Sequence, residues 1–170
     1  IKNGAKERGW GMALQCYYDE GIRVDNHAQN GRSSRSFVNE GRWQRILDQI
    51  MPGDYVFIQF GHNDEKPMQD RHTVPGTTFD DYLRKFVRET REKGGKPVLF
   101  NAVVRRNFYK ITPKNDDDEA LRNTTGAKAE PIEGDTLVDT HGAYLFSPAH
   151  VAQEMRVPSV DANRITHNPE

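Results

Sequence analysis

Residues 55–66 read YVFIQFGHNDEK, an apolar run followed by a glycine and three polar side chains. Val56, Phe57, Ile58 and Phe60 make the run nearly continuous, as expected of a strand covered on both faces in a parallel sheet. Any turn residues would let a chain leave such a strand. Here Gly61, His62, Asn63 and Asp64 gather a permissive backbone, an imidazole, a carboxamide and a carboxylate at one strand end.

The flanking segments alternate in period. RWQRILDQIM (42–51) repeats apolar residues at Trp43, Ile46, Leu47 and Ile50 and closes at Pro52-Gly53, which predicts a helix. TTFDDYLRKFVRETREKGG (77–95) sets Phe79, Tyr82, Leu83, Phe86 and Val87 on one stripe and ends at Gly94-Gly95, a second helix. KPVLFNAVV (96–104) predicts another buried strand. Toward the start, GWGMALQCYYDEG (9–21) has near-helical spacing, IRVDNHAQ (22–29) begins as a β-branched strand, and NGRSSRSFVNEG (30–41) reads as a loop. Toward the end, SPAHVAQEMR (147–156) predicts a helix with Ser147 as N-cap and Pro148 at its first position. VPSVDANRI (157–165) predicts a last short strand. Residues 105 to about 146 sustain no period and carry many turn formers, a long excursion of the kind that is often functional.

Strands and helices in this rhythm predict a parallel sheet with helices on both faces, a three-layer α/β/α domain over residues 1–170. Ligands of such sheets sit beyond the carboxyl ends of the strands. The loops QNGRSSRS, GHNDEK and VVRRNFY leave strand ends and should converge on one crevice.

The 170 residues suit one domain, and a formal net charge of −1 provides no global field for nucleic acid or anionic lipid. Mean hydropathy is −0.87, polar for a globular domain, yet the apolar runs favour a folded chain with long polar loops. No stretch reaches the ~20 apolar residues of a membrane span. Cys16 is the only cysteine, so no intrachain disulfide forms, and MALQCYY predicts a small buried residue there. No phosphate-binding glycine loop, metal-ligand helix motif or cofactor fingerprint is present. NDDDE (115–119) lacks the alternate ligand spacing and glycine turn of a calcium loop and reads as a solvated acidic run.

Gly31 and Asn63 carry the chemistry. A glycine after a strand lets its backbone N–H approach a ligand, and an asparagine amide at the next strand end can aim a second neutral donor at the same point. Two such donors on one oxygen make an oxyanion hole. Glycine and asparagine are equally what a turn needs, and the spacing leaves both readings open.

QNGRSSRSF, followed some thirty residues later by GDYVFIQFGHND, resembles the second and third sequence blocks of the SGNH (GDSL-type) hydrolases. GWG (9–11), EGRW (40–43) and VVRRNF (103–108) are similar to the rhamnogalacturonan acetylesterase-like branch, and only about 110–135 falls outside the likeness. GHND alone is a weak signal; the combination of blocks is specific. The resemblance implies a flavodoxin-like sheet of order 2-1-3-4-5, with a serine nucleophile, a histidine base and its aspartate. It implies oxyanion donors at Gly31 and Asn63, a site-shaping role for His62 and Asp64, and Arg105 and Arg106 near the substrate. That substrate would be an acetylated plant polysaccharide, met outside the cell or in the periplasm, with no cofactor.

The family's Gly-Asp-Ser and Asp-x-x-His motifs are not found in residues 1–170. IKNGAKERGWG resembles the segment that directly follows the nucleophile, and ANRITHNPE a segment that precedes the histidine block. The strands near 22–28 and 54–60 should then flank a central strand that this stretch does not supply. Asp161…His167 and Asp139-Thr140-His141 lack the family spacing and read as a turn or strand-end carboxylate with a surface histidine. The implied activity is ester hydrolysis on pectin-type polysaccharide. A carbohydrate-binding remnant and a deacetylase or acyltransferase for another glycan are the alternatives.

Overall fold

The computed structural model of the chain describes residues 9–105, 108–109, 136–137 and 140–167. They fall into two compact units, residues 1–32 and 33–170.

In the first unit the expected helix is two short 3-10 helices, Trp10–Met12 and Leu14–Tyr17. Their bonds span three residues, as from Met12 N–H to the Gly9 carbonyl at 3.0 Å and from Cys16 N–H to Ala13 at 3.0 Å. The aromatic residues behind the near-helical spacing are exposed, Tyr17 at 83% and Trp10 at 40%, and Cys16, expected to be buried, is exposed too. The strand expected over 22–29 does not form. The Gln15 carboxamide stands in for a neighbouring strand: Nε2 donates to the Ile22 carbonyl at 2.7 Å, and Oε1 accepts from Val24 N–H at 2.7 Å. One side chain thus satisfies the backbone groups that a sheet would have taken.

The second unit holds the sheet. Strands β1 (Tyr55–Gln59), β2 (Lys96–Phe100) and β5 (Ser159–Val160) run parallel in the order β1-β2-β5. Tyr55 pairs with Lys96 through to Gln59 with Phe100, and Leu99 and Phe100 pair with Ser159 and Val160. Among the described residues β1 is an edge strand. The segment 22–28 is not the strand that the expected topology needed, and it does not enter this sheet. In the long excursion, β3 (Phe108–Tyr109) pairs antiparallel with β4 (Thr136–Leu137). The acidic run 115–119 lies outside the described residues.

Helix α3 (Thr78–Glu92) carries the predicted stripe: Phe79, Leu83, Phe86 and Val87 are at most 1% exposed. They share one core with Ile58 and Leu99 of the sheet, with Trp43 and Leu47 of α2 (Arg42–Leu47), and with Val151 of α4 (Ser147–Met155). The Trp43 ring lies 4.6 Å from Phe86, and its indole N–H donates to Glu89 of α3 at 2.7 Å, so a buried donor keeps its partner. Helix α4 starts one residue earlier than expected, with Phe146 as its N-cap and Pro148 in the first turn. The opposite face of β1 carries Tyr55 and Phe57, 65% and 39% exposed, with Phe57 against Phe100 at 5.3 Å.

Two elements correct the sequence reading. Residues 162–165, placed in the last strand, instead open helix α5 (Ala162–His167), whose Arg164 N–H is taken by the Asp161 carboxylate at 3.0 Å. The supposed serine-rich loop contains helix α1 (Ser34–Asn39), opened by a reciprocal cap. Ser33 Oγ accepts from Ser36 N–H at 3.1 Å, while Ser33 N–H donates to Ser36 Oγ at 2.9 Å. Ser33→Ala removes the acceptor and should lower stability by about 1 kcal/mol in urea unfolding. An unchanged midpoint would mean that packing of Phe37, not the cap, holds α1.

Candidate active site

The turn after β1 is built around a buried carboxylate. Gly61 is buried at φ +134°, a conformation that L side chains rarely adopt, and a Cβ there would meet Ala102 Cβ at 3.4 Å. The chain then folds back, with Asp64 N–H donating to the Gly61 carbonyl at 3.0 Å. Asp64 is fully buried. Its carboxylate accepts from Ser34 N–H at 3.0 Å, Gly61 N–H at 3.1 Å and Thr73 Oγ1 at 3.1 Å, and also from Ser34 Oγ. The first turn of α1, the end of β1 and Thr73 are therefore tied to one side chain. Its backbone carbonyl also accepts from Thr73 N–H at 3.0 Å and the Tyr144 hydroxyl at 3.2 Å.

Burial raises the Asp64 carboxyl from 3.8 to about 6, against the opposing pull of the donors from Ser34, Thr73 and Gly61. Expected to shape the crevice, Asp64 directs its carboxylate at protein donors. Asn63, half-buried, sits on the surface of the same turn, and its carbonyl accepts from Lys66 N–H at 3.3 Å.

A second cluster grips the turn from the other side. Arg105, just past β2, donates through Nη2 to the His62 carbonyl at 2.9 Å and through Nη1 to Thr140 Oγ1 at 3.3 Å, and it pairs with the Glu65 carboxylate. Glu65 also faces His141 Nδ1 at 3.0 Å, and His141 Nε2 lies 3.1 Å from the Val103 carbonyl. The His141 ring stacks on His62 with centroids 4.4 Å apart. His141 was expected on the surface and is 2% exposed, with both ring nitrogens engaged. That geometry suits a structural histidine.

Of the other candidates, Gly31 belongs to the first unit and adopts φ +77°. Arg106 lies outside the described residues. Asp161 caps α5 and also accepts from Asn101 Nδ2 at 2.8 Å; the Arg164 N–H and the Asn101 amide hold its carboxyl below the ordinary range. Among the described residues no three His, Cys, Asp or Glu side chains gather as a metal site, and no helix is long and apolar enough to cross a membrane.

Sequence reasoning missed Ser34, Thr73, Glu65 and the burial of His141. The Ser33-x-x-Ser36 pair signalled α1 and hence the place of Ser34. The expected convergence of GHNDEK and VVRRNFY brings the loops of residues 65 and 105 together, but nothing in the sequence signalled that residue 141 joins them.

A parallel α/β sheet with a carboxylate-stapled Gly-His-Asn-Asp turn at a strand end is the framework of an SGNH-type hydrolase domain. The chain belongs to the GDSL-like Lipase/Acylhydrolase family, whose model matches residues 2–168. It is 37% identical over 153 residues to rhamnogalacturonan acetylesterase RhgT of Bacillus subtilis, covering 90% of this chain and 55% of that protein. It is 44% identical over 107 residues to the probable rhamnogalacturonan acetylesterase YesY of the same organism, covering 62% of this chain and 49% of the relative. The chain therefore spans about half the length of the curated relatives it matches. Among solved structures, protein YxiM from Bacillus subtilis superposes with a TM-score of 0.69 at 26% identity, over 96% of this chain and 39% of that one. A catalytic mutant of Axe2, an acetylxylan esterase from Geobacillus stearothermophilus, gives 0.57 at 20% identity, over 92% of this chain and 63% of the other. The Axe2 likeness is one of fold.

Proposed function

We propose that the protein carrying this chain is a serine esterase that removes acetyl groups from a plant cell-wall polysaccharide such as rhamnogalacturonan. The observation that carries this reading is the turn at the end of β1, stapled by Asp64 so that Asn63 rides on a fixed backbone. The two acetylesterase relatives support the substrate class. In this mechanism a serine hydroxyl attacks the acetyl carbonyl and its proton passes to a histidine, held in place by an aspartate. The carbonyl oxygen becomes an oxyanion that the Gly31 N–H and the Asn63 amide stabilise. The sugar oxygen leaves with the proton, and water then releases acetate from the serine. Ground-state binding belongs to His62 and Arg106 in this reading, while Asp64 and Arg105 act within the protein. The substrate places the enzyme outside the cell or in the periplasm, which cell fractionation checks.

The test is acetate release by the full-length protein from acetylated rhamnogalacturonan and acetylated xylan. Faster release from the pectin-type polymer is expected. Release from xylan alone would move the substrate class. Sugar binding without turnover of any acetyl ester would make the protein a carbohydrate-binding domain.

A further inference from the structure

The Asn63 turn is gripped from its two ends. At one, the His62 carbonyl accepts from Arg105 and the His62 ring lies flat against His141. At the other, the Glu65 carboxylate meets both Arg105 and His141. His141 faces two acceptors, the Val103 carbonyl and the Glu65 carboxylate. Glu65 and Arg105 set a carboxylate against a guanidinium in the same cluster. The side chains are nearly withdrawn from solvent: His141 is 0% exposed, Glu65 10% and Arg105 14%. Such charges are costly to bury unless each is paired in good geometry. The cluster draws on three separate segments and closes on four residues, His62 to Glu65, with Asn63 inside.

We propose that Arg105, acting with Glu65 and His141, is a positioning residue that fixes the direction of the Asn63 amide. The inference rests on the oxyanion role proposed for Asn63. Arg105 suits the task because its planar fork reaches the His62 carbonyl, Glu65 and Thr140 together, which a lysine ammonium on a flexible stem does not reproduce. Its guanidinium bonds the main chain beside Asn63, so losing it frees the turn without removing any catalytic donor. Misplacing a catalytic group by ~1 Å costs on the order of a hundredfold in rate.

The experiment is a double-mutant cycle in the full-length protein with a small acetyl ester, kcat being normalised to active sites titrated by a covalent serine reagent. Arg105→Met should lower kcat about tenfold to a hundredfold with little change in KM, the signature of a contribution felt in the transition state. In the Asn63→Ala background the same substitution should cost less than threefold, because the group it positions is gone. Glu65→Gln keeps shape while removing a charge; it should show a smaller kcat loss that also vanishes without Asn63, and it serves if Arg105→Met does not fold. Equal losses in both backgrounds would overturn the positioning role while leaving Asn63 as an oxyanion donor. An Asn63→Ala single variant of normal kcat would overturn both readings. A lower melting temperature with unchanged kcat per titrated site would make the cluster purely structural and refute the proposal.

Discussion

Asn63→Ala in the full-length protein should lower kcat for acetate release by about 10²–10³-fold, equivalent to roughly 3–4 kcal/mol, with KM almost unchanged. The size follows from when the donor acts. An acetyl carbonyl carries little charge in the ground state and nearly a full negative charge when tetrahedral. An amide N–H₂ already aimed at that oxygen gains most of its interaction at the transition state, with no reorganisation at that moment. The backbone on either side of Asn63 is held: the Asp64 carboxylate accepts from Gly61 N–H, and Arg105 donates to the His62 carbonyl. Asn63→Asp is the sharper variant, since it would put a carboxylate where negative charge develops, and it should be at least as damaging. The rival account is a turn cap. It predicts a lower melting temperature and a normal kcat per folded molecule. Near-normal kcat in Asn63→Ala with a melting point several degrees lower would establish the cap and remove Asn63 from the chemistry.

The parts of this molecule that were legible from sequence are those in which one face must be apolar. β1 and β2 are compact apolar runs and α3 repeats burial at a helical period, so Ile58, Leu99 and the stripe from Phe79 to Val87 reveal both element type and core. Residues 22–28 were misread because a β-branched start reports only that extended backbone is comfortable. Whether a strand forms depends on what takes its backbone bonds, and the Gln15 carboxamide takes them. Helix α1 was hidden by its serines, which favour loops and helix caps for the same reason, a hydroxyl within reach of nearby backbone N–H groups. At the site, Gly61 to Asp64 could be seen because they are contiguous. The Glu65, Arg105 and His141 cluster could not, because charged residues far apart in sequence have no period to reveal which of them pair.

Asp64→Ala should cost about 3 kcal/mol or more at pH 5, because it strands the backbone N–H groups of Ser34 and Gly61 in a buried site. For a domain of this size that lowers the melting temperature by roughly 6–12 °C. The hydroxyls of Ser34 and Thr73 can rotate toward other acceptors; the two amides cannot. Asp64→Asn tests a finer balance. An amide oxygen can keep the Ser34 and Thr73 donors, but its N–H₂ then faces the Gly61 N–H, donor against donor. This variant should also melt below wild type at pH 4, and the gap should depend on pH in a defined direction. The folded carboxyl is raised to about 6 from 3.8, so between those values the native state holds a proton that the unfolded chain has released. Wild-type stability from this group is then fully present below about pH 4 and declines as pH rises through 6, by on the order of 3 kcal/mol at ~1.36 kcal/mol per pKa unit. Asp64→Asn does not titrate there, so the difference between the two proteins should narrow from pH 4 to pH 7. Two forces compete in that measurement. Desolvation keeps the proton on, and the donors from Ser34, Gly61 and Thr73 draw it off. A gap that stays constant or widens with pH would mean that the donors win, with Asp64 ionised throughout as a fixed negative staple beneath Asn63.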